Sequence, residues 1–208
     1  MARLMITPAR PLRFYRRSHF GMGENLLPPH SPSARHNGAA RSRTQPFASG
    51  RFFRVTSPPE NALVTPPLAQ MLNTVLEQFA QANGFTQENP LAVFFGRGTL
   101  GLHRFDRAAD IYGIGGKGLD QWKQEWNAAM QRALAAPAAE ERRRIVAEES
   151  GRNLGYKLYK ALQAHGGWAQ PPGYPVQIFG PWTRREGPHK AISDYLLYLH
   201  RDHIHVAK

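Results

Sequence analysis

The chain contains no cysteine, and this absence restricts the kinds of site that it can build. Its 208 residues can form no disulfide and offer no thiolate to a metal. Any metal ion must therefore be held by histidine and carboxylate side chains. Because cysteine-free proteins suit reducing and oxidising compartments alike, the composition does not locate the protein.

Long apolar runs are also missing. No stretch reaches the roughly 20 consecutive apolar residues that a membrane-spanning helix needs. The opening residues, Met1 to Pro8, have too short an apolar core for a secretory signal. The sequence therefore predicts neither a membrane span nor a cleavable signal peptide.

Acidic residues are scarce, with 15 Asp and Glu against 27 Lys and Arg and a net charge of +12. The imbalance is greatest in residues 1–60, where ten arginines face only Glu24 and Glu60. Such a charge indicates an anionic partner: nucleic acid, an acidic membrane or an anionic cell-wall polymer. The same segment is rich in Pro, Ser and Gly and has no helical or strand period. We predict that residues 1–60 form a basic, largely irregular arm.

Downstream of the arm the pattern becomes that of a folded domain. Apolar residues at helical spacing between Leu68 and Phe79 predict an amphipathic helix. The apolar run Leu91 to Phe95 predicts a buried strand, and Arg107 to Tyr112 a second one.

Two more helices should follow, the second running from about Pro137 to His165. Strands are expected after them, and the last strand holds the terminal histidines. The segment Ala191 to Leu199 is compatible with either helix or strand. This order predicts an α+β domain over residues 61–208.

Three of the nine histidines lie among the last nine residues: His200, His203 and His205. Successive side chains of a strand point to opposite faces, so His203 and His205 should share one face, about 7 Å apart. Ile204 and Val206 then point to the core. Two imidazoles on one face indicate a metal or acid–base site that needs a third partner.

A partner is available far upstream, where the stretch from Leu102 to Ile111 contains His103 and Asp110. A hydrolytic zinc site needs three protein ligands and one open position for water, whose pKa zinc lowers towards neutrality. A further group must move protons, because the leaving amine has to be protonated. We predict that the two stretches meet around one zinc ion.

The pair His103-x6-Asp110, followed at the C-terminus by His203-x-His205, resembles the zinc peptidases that cut peptidoglycan. This superfamily contains the D-alanyl-D-alanine peptidases, the penicillin-insensitive murein endopeptidases and their lysostaphin and hedgehog-domain relatives. With His200 present, the ending is most similar to the murein endopeptidase branch. The resemblance implies a small antiparallel sheet flanked by helices, zinc ligands at His103, Asp110 and His205, and a catalytic histidine at His203.

Three further residues are candidates for the site. Asp202 stands where the carboxypeptidase branch has an acidic base, but strand alternation directs it away from the histidines. We therefore favour His203 over Asp202 as the proton carrier. Arg97 is a candidate for binding a substrate carboxylate, with an exposed turn arginine as the alternative. His200 is a candidate for substrate binding, with a plain surface histidine as the alternative.

The resemblance implies a zinc-dependent peptidoglycan hydrolase that cuts a peptide bond of the murein stem or cross-link, as a D,D-endopeptidase or carboxypeptidase. Without a secretory signal, we expect an antibacterial effector or lytic enzyme that reaches the periplasm or cell wall by another route. A secretion apparatus and an immunity protein are then candidate partners. The alternatives are a non-catalytic zinc-binding domain and a basic nucleic-acid-binding protein. Nucleic acid is disfavoured, because the arginines lie in a proline-rich arm without the interleaved aromatic motifs of a known reader.

Overall fold

The structure is a computed structural model that describes residues 44–98, 102–103, 106–172 and 174–208. Most of the predicted basic arm, residues 1–43, lies outside this description. No helix of the described ranges is long and apolar enough to cross a membrane.

Helices and short strands alternate along the described chain. The helices are α1 (Pro66–Ala82), α2 (Leu119–Ala135), α3 (Ala139–Arg152), α4 (Leu154–His165) and α5 (Asp194–Leu199). The strands are β1 (Gln45–Pro46), β2 (Phe53–Val55), β3 (Leu63–Val64), β4 (Leu91–Gly96), β5 (Ala108–Ile114), β6 (Lys117–Gly118), β7 (Ile178–Phe179) and β8 (Ile204–Ala207). The predicted α+β class with a small, mainly antiparallel sheet is confirmed.

Within the described residues the main sheet has six strands, in the order β2-β4-β5-β8-β7, with β6 paired to β5. Every pairing in it is antiparallel except that of β2 with β4. The last element of the chain, β8, therefore lies inside the sheet, between β5 and β7.

Helices cover one face of this sheet. Leu91, Val93 and Phe95 of β4 are 0% exposed and pack in one core with apolar side chains of α1 and α4. Alternation places Ala92, Phe94 and Gly96 on the opposite face, where Phe94 is 42% exposed. This second face, called the open face below, carries the candidate site.

The packed part of the chain begins upstream of residue 61. Phe47 and Phe53 are buried in the core, and Phe53 pairs with Leu91 where β2 joins β4. The sequence places residues 44–60 in the irregular arm, because strands as short as β1 and β2 show no period. The side chains of Phe47 and Phe53 nonetheless pack in one core with residues of α1 and β4.

The prediction of a single helix from Pro137 to His165 is wrong, because two helices, α3 and α4, meet there at Asn153. The Asn153 side-chain oxygen accepts a hydrogen bond from the Tyr156 N–H at 2.9 Å and so caps α4. Its amide donates to the Trp122 carbonyl and to Glu149, each at 2.8 Å. One buried asparagine thus starts α4 and ties α2 to α3.

Candidate metal centre

The register of two strands brings Asp110 and His205 together. Asp110 in β5 lies directly opposite His205 in β8, a position in which antiparallel side chains on one face touch. His205 Nδ1 lies 2.9 Å from Asp110 Oδ1. Two residues that are 95 positions apart in the sequence are therefore placed by the sheet itself.

His103 reaches the same place from the connection between β4 and β5. The Asp106 N–H donates to the His103 carbonyl at 3.0 Å, which closes a turn, and Asp106 takes a left-handed φ of 51°. The imidazole of His103 lies against Gly98, where an added Cβ would come within 2.4 Å of the ring. The close approach of His103 therefore depends on glycine at position 98.

The three candidate ligand atoms lie near one another. His103 Nε2 is 3.2 Å from His205 Nδ1 and 3.2 Å from Asp110 Oδ2, and all three ligand atoms lie within 4.8 Å of each other. A tetrahedral zinc ion with bonds of about 2.0–2.1 Å separates its ligands by about 3.3 Å. Two imidazoles and one carboxylate at this spacing fit a divalent cation. His103, Asp110 and His205 therefore form a group that could hold a metal ion, called the metal-binding group below.

The electrostatics of the group suit metal binding. Burial alone would raise the pKa of Asp110, but hydrogen bonds and charges from His103 and His205 hold that pKa well below its usual value. Burial lowers the pKa of His205, against the opposing influence of Asp110. Near neutral pH these residues are a carboxylate and a neutral imidazole, the forms in which they bind a cation.

His203 lies beside this group and is held by Asp202. Its Nδ1 is 2.8 Å from Asp202 Oδ1, and its Nε2 is 3.7 Å from Asp110 Oδ1. The prediction that Asp202 points away from His203 is wrong, because β8 begins only at Ile204 and strand alternation does not extend to Asp202. The carboxylate instead accepts the Nδ1–H of His203, which leaves Nε2 facing the metal-binding group.

Two aromatic side chains complete the site. Tyr112 stacks on His203 with ring centres 4.6 Å apart and an angle of 19°, and Phe179 stacks on His205 at 5.7 Å and 17°. Burial, together with the charges of Asp110 and Asp202, raises the pKa of Tyr112. Tyr112 could have been found from the sequence, since it follows Asp110 by two residues on the same strand face. Phe179 could not, because only the pairing of β7 with β8 places it opposite His205.

His200 packs behind the two other terminal histidines. Its ring centre lies 5.0 Å from that of His203 and 5.1 Å from that of His205, and its Nδ1 is 2.7 Å from the Leu196 carbonyl. Burial and the neighbouring His205 lower the pKa of His200 to about 4. His200 is thus a neutral neighbour of the metal-binding group, and its role towards a substrate stays a prediction.

Arg97 lines the same cavity as the candidate ligand His103. This cavity has a volume of about 310 Å³, and Glu60 and Gly98 also line it. A cavity that contains a candidate metal ligand and an arginine is a suitable place for a substrate carboxylate. The assignment of Arg97 to substrate binding stays a prediction.

Comparison with protein-family models, with curated proteins and with solved structures finds no match to this chain. The functional argument therefore depends on the site itself. Within the described residues, that site is a His-Asp-His group that could hold a metal ion, flanked by a histidine–aspartate pair, on the open face of a small sheet.

Proposed function

We propose that this protein is a zinc-dependent peptidase that hydrolyses a peptide bond of peptidoglycan. The observation that carries the proposal is the placement of His203. Its Nδ1 is held by Asp202 at 2.8 Å, while its Nε2 faces Asp110 at 3.7 Å, beside the three candidate ligands. The resemblance of the ligand pattern to the zinc peptidoglycan peptidases supplies the substrate class.

A catalytic centre is favoured over a purely structural zinc site by the number of donors. Structural zinc sites take four protein ligands, whereas catalytic ones take three and leave one position open. The described part of the chain offers three grouped donors, His103, Asp110 and His205. His203 is the residue that separates the two alternatives, since it serves catalysis in one and would be a fourth ligand in the other.

The chemistry assigned to the site is hydrolysis of an amide. A zinc ion, when bound, supplies Lewis acidity that activates water and polarises a carbonyl. His203 Nε2 accepts a proton from the attacking water, whose oxygen bonds to the carbonyl carbon. The carbon–nitrogen bond then breaks, and His203 returns the proton to the leaving nitrogen. Asp202 keeps the imidazole oriented and stabilises its protonated form.

We place this activity in the periplasm or cell wall, where the net charge of +12 suits an anionic polymer. A delivered antibacterial effector or a lytic enzyme fits this setting, with a secretion apparatus and an immunity protein as partners. Expression of the chain behind a periplasmic signal should lyse cells, whereas cytoplasmic expression should leave them growing. Equal growth in both cases would contradict the proposed setting.

The decisive experiment combines metal analysis with muropeptide profiling. The purified full chain should carry one zinc ion and should change the muropeptide pattern of isolated murein. A chelator should stop this change, and added zinc should restore it. Unchanged murein from a zinc-loaded protein would reject catalysis and leave a non-catalytic metal-binding domain.

A matched pair of variants tests the role of His203. His203→Ala should retain zinc and lower turnover by roughly 10²–10⁴-fold, the usual contribution of a general acid–base group. His165→Ala makes the same substitution at an exposed histidine at the end of α4 and should change neither zinc content nor turnover. Loss of zinc from His203→Ala alone would identify His203 as a fourth ligand.

A further inference from the structure

One residue in the connection between β4 and β5 has an unusual backbone conformation. Among the residues that the structure describes, Asp106 is the only one other than glycine with a positive φ, at 51°. This left-handed region is sterically disfavoured for L-residues, although aspartate tolerates it better than most. Residues held in such conformations are often found at functional sites. Asp106 follows the candidate ligand His103 by three positions, so its conformation affects where that ligand lies.

Two backbone hydrogen bonds fix the turn that contains Asp106. The Asp106 N–H donates to the His103 carbonyl at 3.0 Å. The next N–H, that of Arg107, donates to the Leu102 carbonyl at 3.1 Å. This nested pair defines a Schellman motif, in which the residue at the place of Asp106 is left-handed and is usually glycine, sometimes asparagine. The backbone of His103 is therefore fixed by a turn that requires a left-handed residue at position 106.

The same turn is joined to α1 and to β8. The Asp106 carbonyl accepts a hydrogen bond at 2.8 Å from the N–H of Thr65, the buried residue that precedes α1. The Lys208 N–H donates to the Arg107 carbonyl at 2.9 Å, and Arg107 Nε donates to the Lys208 carbonyl at 2.8 Å. Lys208 directly follows β8, the strand that contains His205. The turn of one candidate histidine ligand is thus connected to the strand of the other.

We infer that Asp106 is a positioning residue, whose left-handed backbone holds the His103 imidazole beside Asp110 and His205. The inference rests on the metal binding that the proposed function assumes, and it does not depend on hydrolysis. The hydrogen bonds that hold the turn join protein groups only. The turn should therefore keep this arrangement both with and without a metal ion.

The carboxylate of Asp106 offers a different role. Asp106 also lines the cavity of about 310 Å³ that contains Arg97 and Glu60, where a carboxylate could contact a substrate. The two roles predict opposite effects of glycine at position 106. Glycine adopts the left-handed conformation without steric cost, so it fulfils the backbone role, whereas it cannot replace a carboxylate.

Zinc affinity across substitutions at position 106 tests the backbone role. The native full chain is compared with Asp106→Gly, Asp106→Asn, Asp106→Ala and Asp106→Val by competition with a chelator. The glycine and asparagine variants should bind zinc within about threefold of the native affinity, because both residues accept a left-handed backbone. Affinity should fall by about 5–30-fold in the alanine variant and further in the valine variant, because the turn relaxes and displaces His103. Asp120→Ala, at an exposed position in the first turn of α2, is the control and should bind zinc as the native chain does.

A second measurement needs no metal. The ring centres of His103 and His205 lie 5.1 Å apart, so their ring protons should show a nuclear Overhauser contact in the metal-free full chain. The contact should persist in Asp106→Gly and disappear in Asp106→Ala. A role limited to stability would lower the Tm of the variants and leave both the ring contact and the zinc affinity intact. If the alanine variant does not fold, the glycine variant alone decides between the backbone and the carboxylate.

Two results would overturn the inference. The first is an Asp106→Gly variant that binds zinc as weakly as Asp106→Ala, which would assign the role to the carboxylate. The second is an Asp106→Ala variant with native zinc affinity and a native ring contact.

The same measurements separate this inference from the proposed function. If the native chain binds no zinc but the ring contact depends on residue 106 as expected, the positioning role stands and the proposed function fails. If the native chain changes murein while every variant binds zinc equally, the proposed function stands and the positioning role fails.

Discussion

His203 Nδ1 lies 2.8 Å from Asp202 Oδ1, and this hydrogen bond fixes which nitrogen of the imidazole faces the metal-binding group. With Nδ1 donating to the carboxylate, Nε2 is the atom that can exchange a proton on the open face. Asp202 is about half exposed, at 47% of its side chain, and His203 is nearly buried, at 9%. The pair therefore joins a solvated carboxylate to an imidazole that is largely shielded from water.

Replacement of this carboxylate should weaken catalysis without removing the metal. In Asp202→Asn the amide cannot stabilise a protonated imidazole, so peptide cleavage should fall roughly ten- to hundredfold. Zinc content should stay at the native level. Asp120→Asn, at an exposed position in the first turn of α2, is the matched control. Native turnover in Asp202→Asn would show that Asp202 has no part in the reaction.

The Tyr112 ring should position His203 through stacking rather than through its hydroxyl group. Tyr112→Phe keeps the ring and should preserve turnover, whereas Tyr112→Leu should lower it about two- to tenfold, as expected from loss of a stacking contact worth about 0.5–1.5 kcal/mol. Ring-proton resonances of His203 should move to lower field only in Tyr112→Leu, because the shielding ring is gone. Unchanged resonances in that variant would contradict the stacked arrangement.

Glycine at position 98 should be required for tight metal binding. An alanine Cβ there would come within 2.4 Å of the His103 ring, so Gly98→Ala must displace that imidazole. We expect zinc affinity, measured by competition with a chelator, to fall by about 10–100-fold. Gly151→Ala is the control, since a Cβ at that position in α3 meets nothing within 4 Å. Equal zinc affinity in both variants would show that His103 is not a ligand.

Metal removal should lower the stability of the domain. Zinc at 100 times its dissociation constant stabilises a protein by about 2.7 kcal/mol, which for a chain of this size corresponds to a rise in Tm of roughly 5–10 °C. The zinc-dependent rise should disappear in His205→Ala and persist in His165→Ala. A rise of equal size in both variants would place the bound zinc elsewhere on the protein.

The sequence predicts the metal-binding group better than it predicts the surroundings of that group. His103, Asp110 and His205 are found because their chemistry restricts their roles, and His203 and His205 both lie beside Asp110, as their predicted shared face requires. Alternation fails for Asp202. The chain bends before β8 begins at Ile204, and this bend is a tertiary feature without a periodic signal.

The fold class follows from apolar periodicity, whereas the element boundaries depend on single polar contacts. The break between α3 and α4 depends on Asn153, whose amide reaches the Trp122 carbonyl on another helix. No local pattern indicates this contact. The strands upstream of residue 61 are missed for a related reason, since β2 has only three residues and is defined by its pairing with β4.

The position of β8 has a consequence for the order of events during folding. This strand pairs with β5 on one side and β7 on the other, and its His205 lies 95 residues from Asp110 and 102 residues from His103 in the sequence. Contacts between such distant segments carry a high cost of loop closure, so we expect them to form late. The metal-binding group should therefore assemble with the closing of the sheet, and uptake of a metal ion should report the completion of folding.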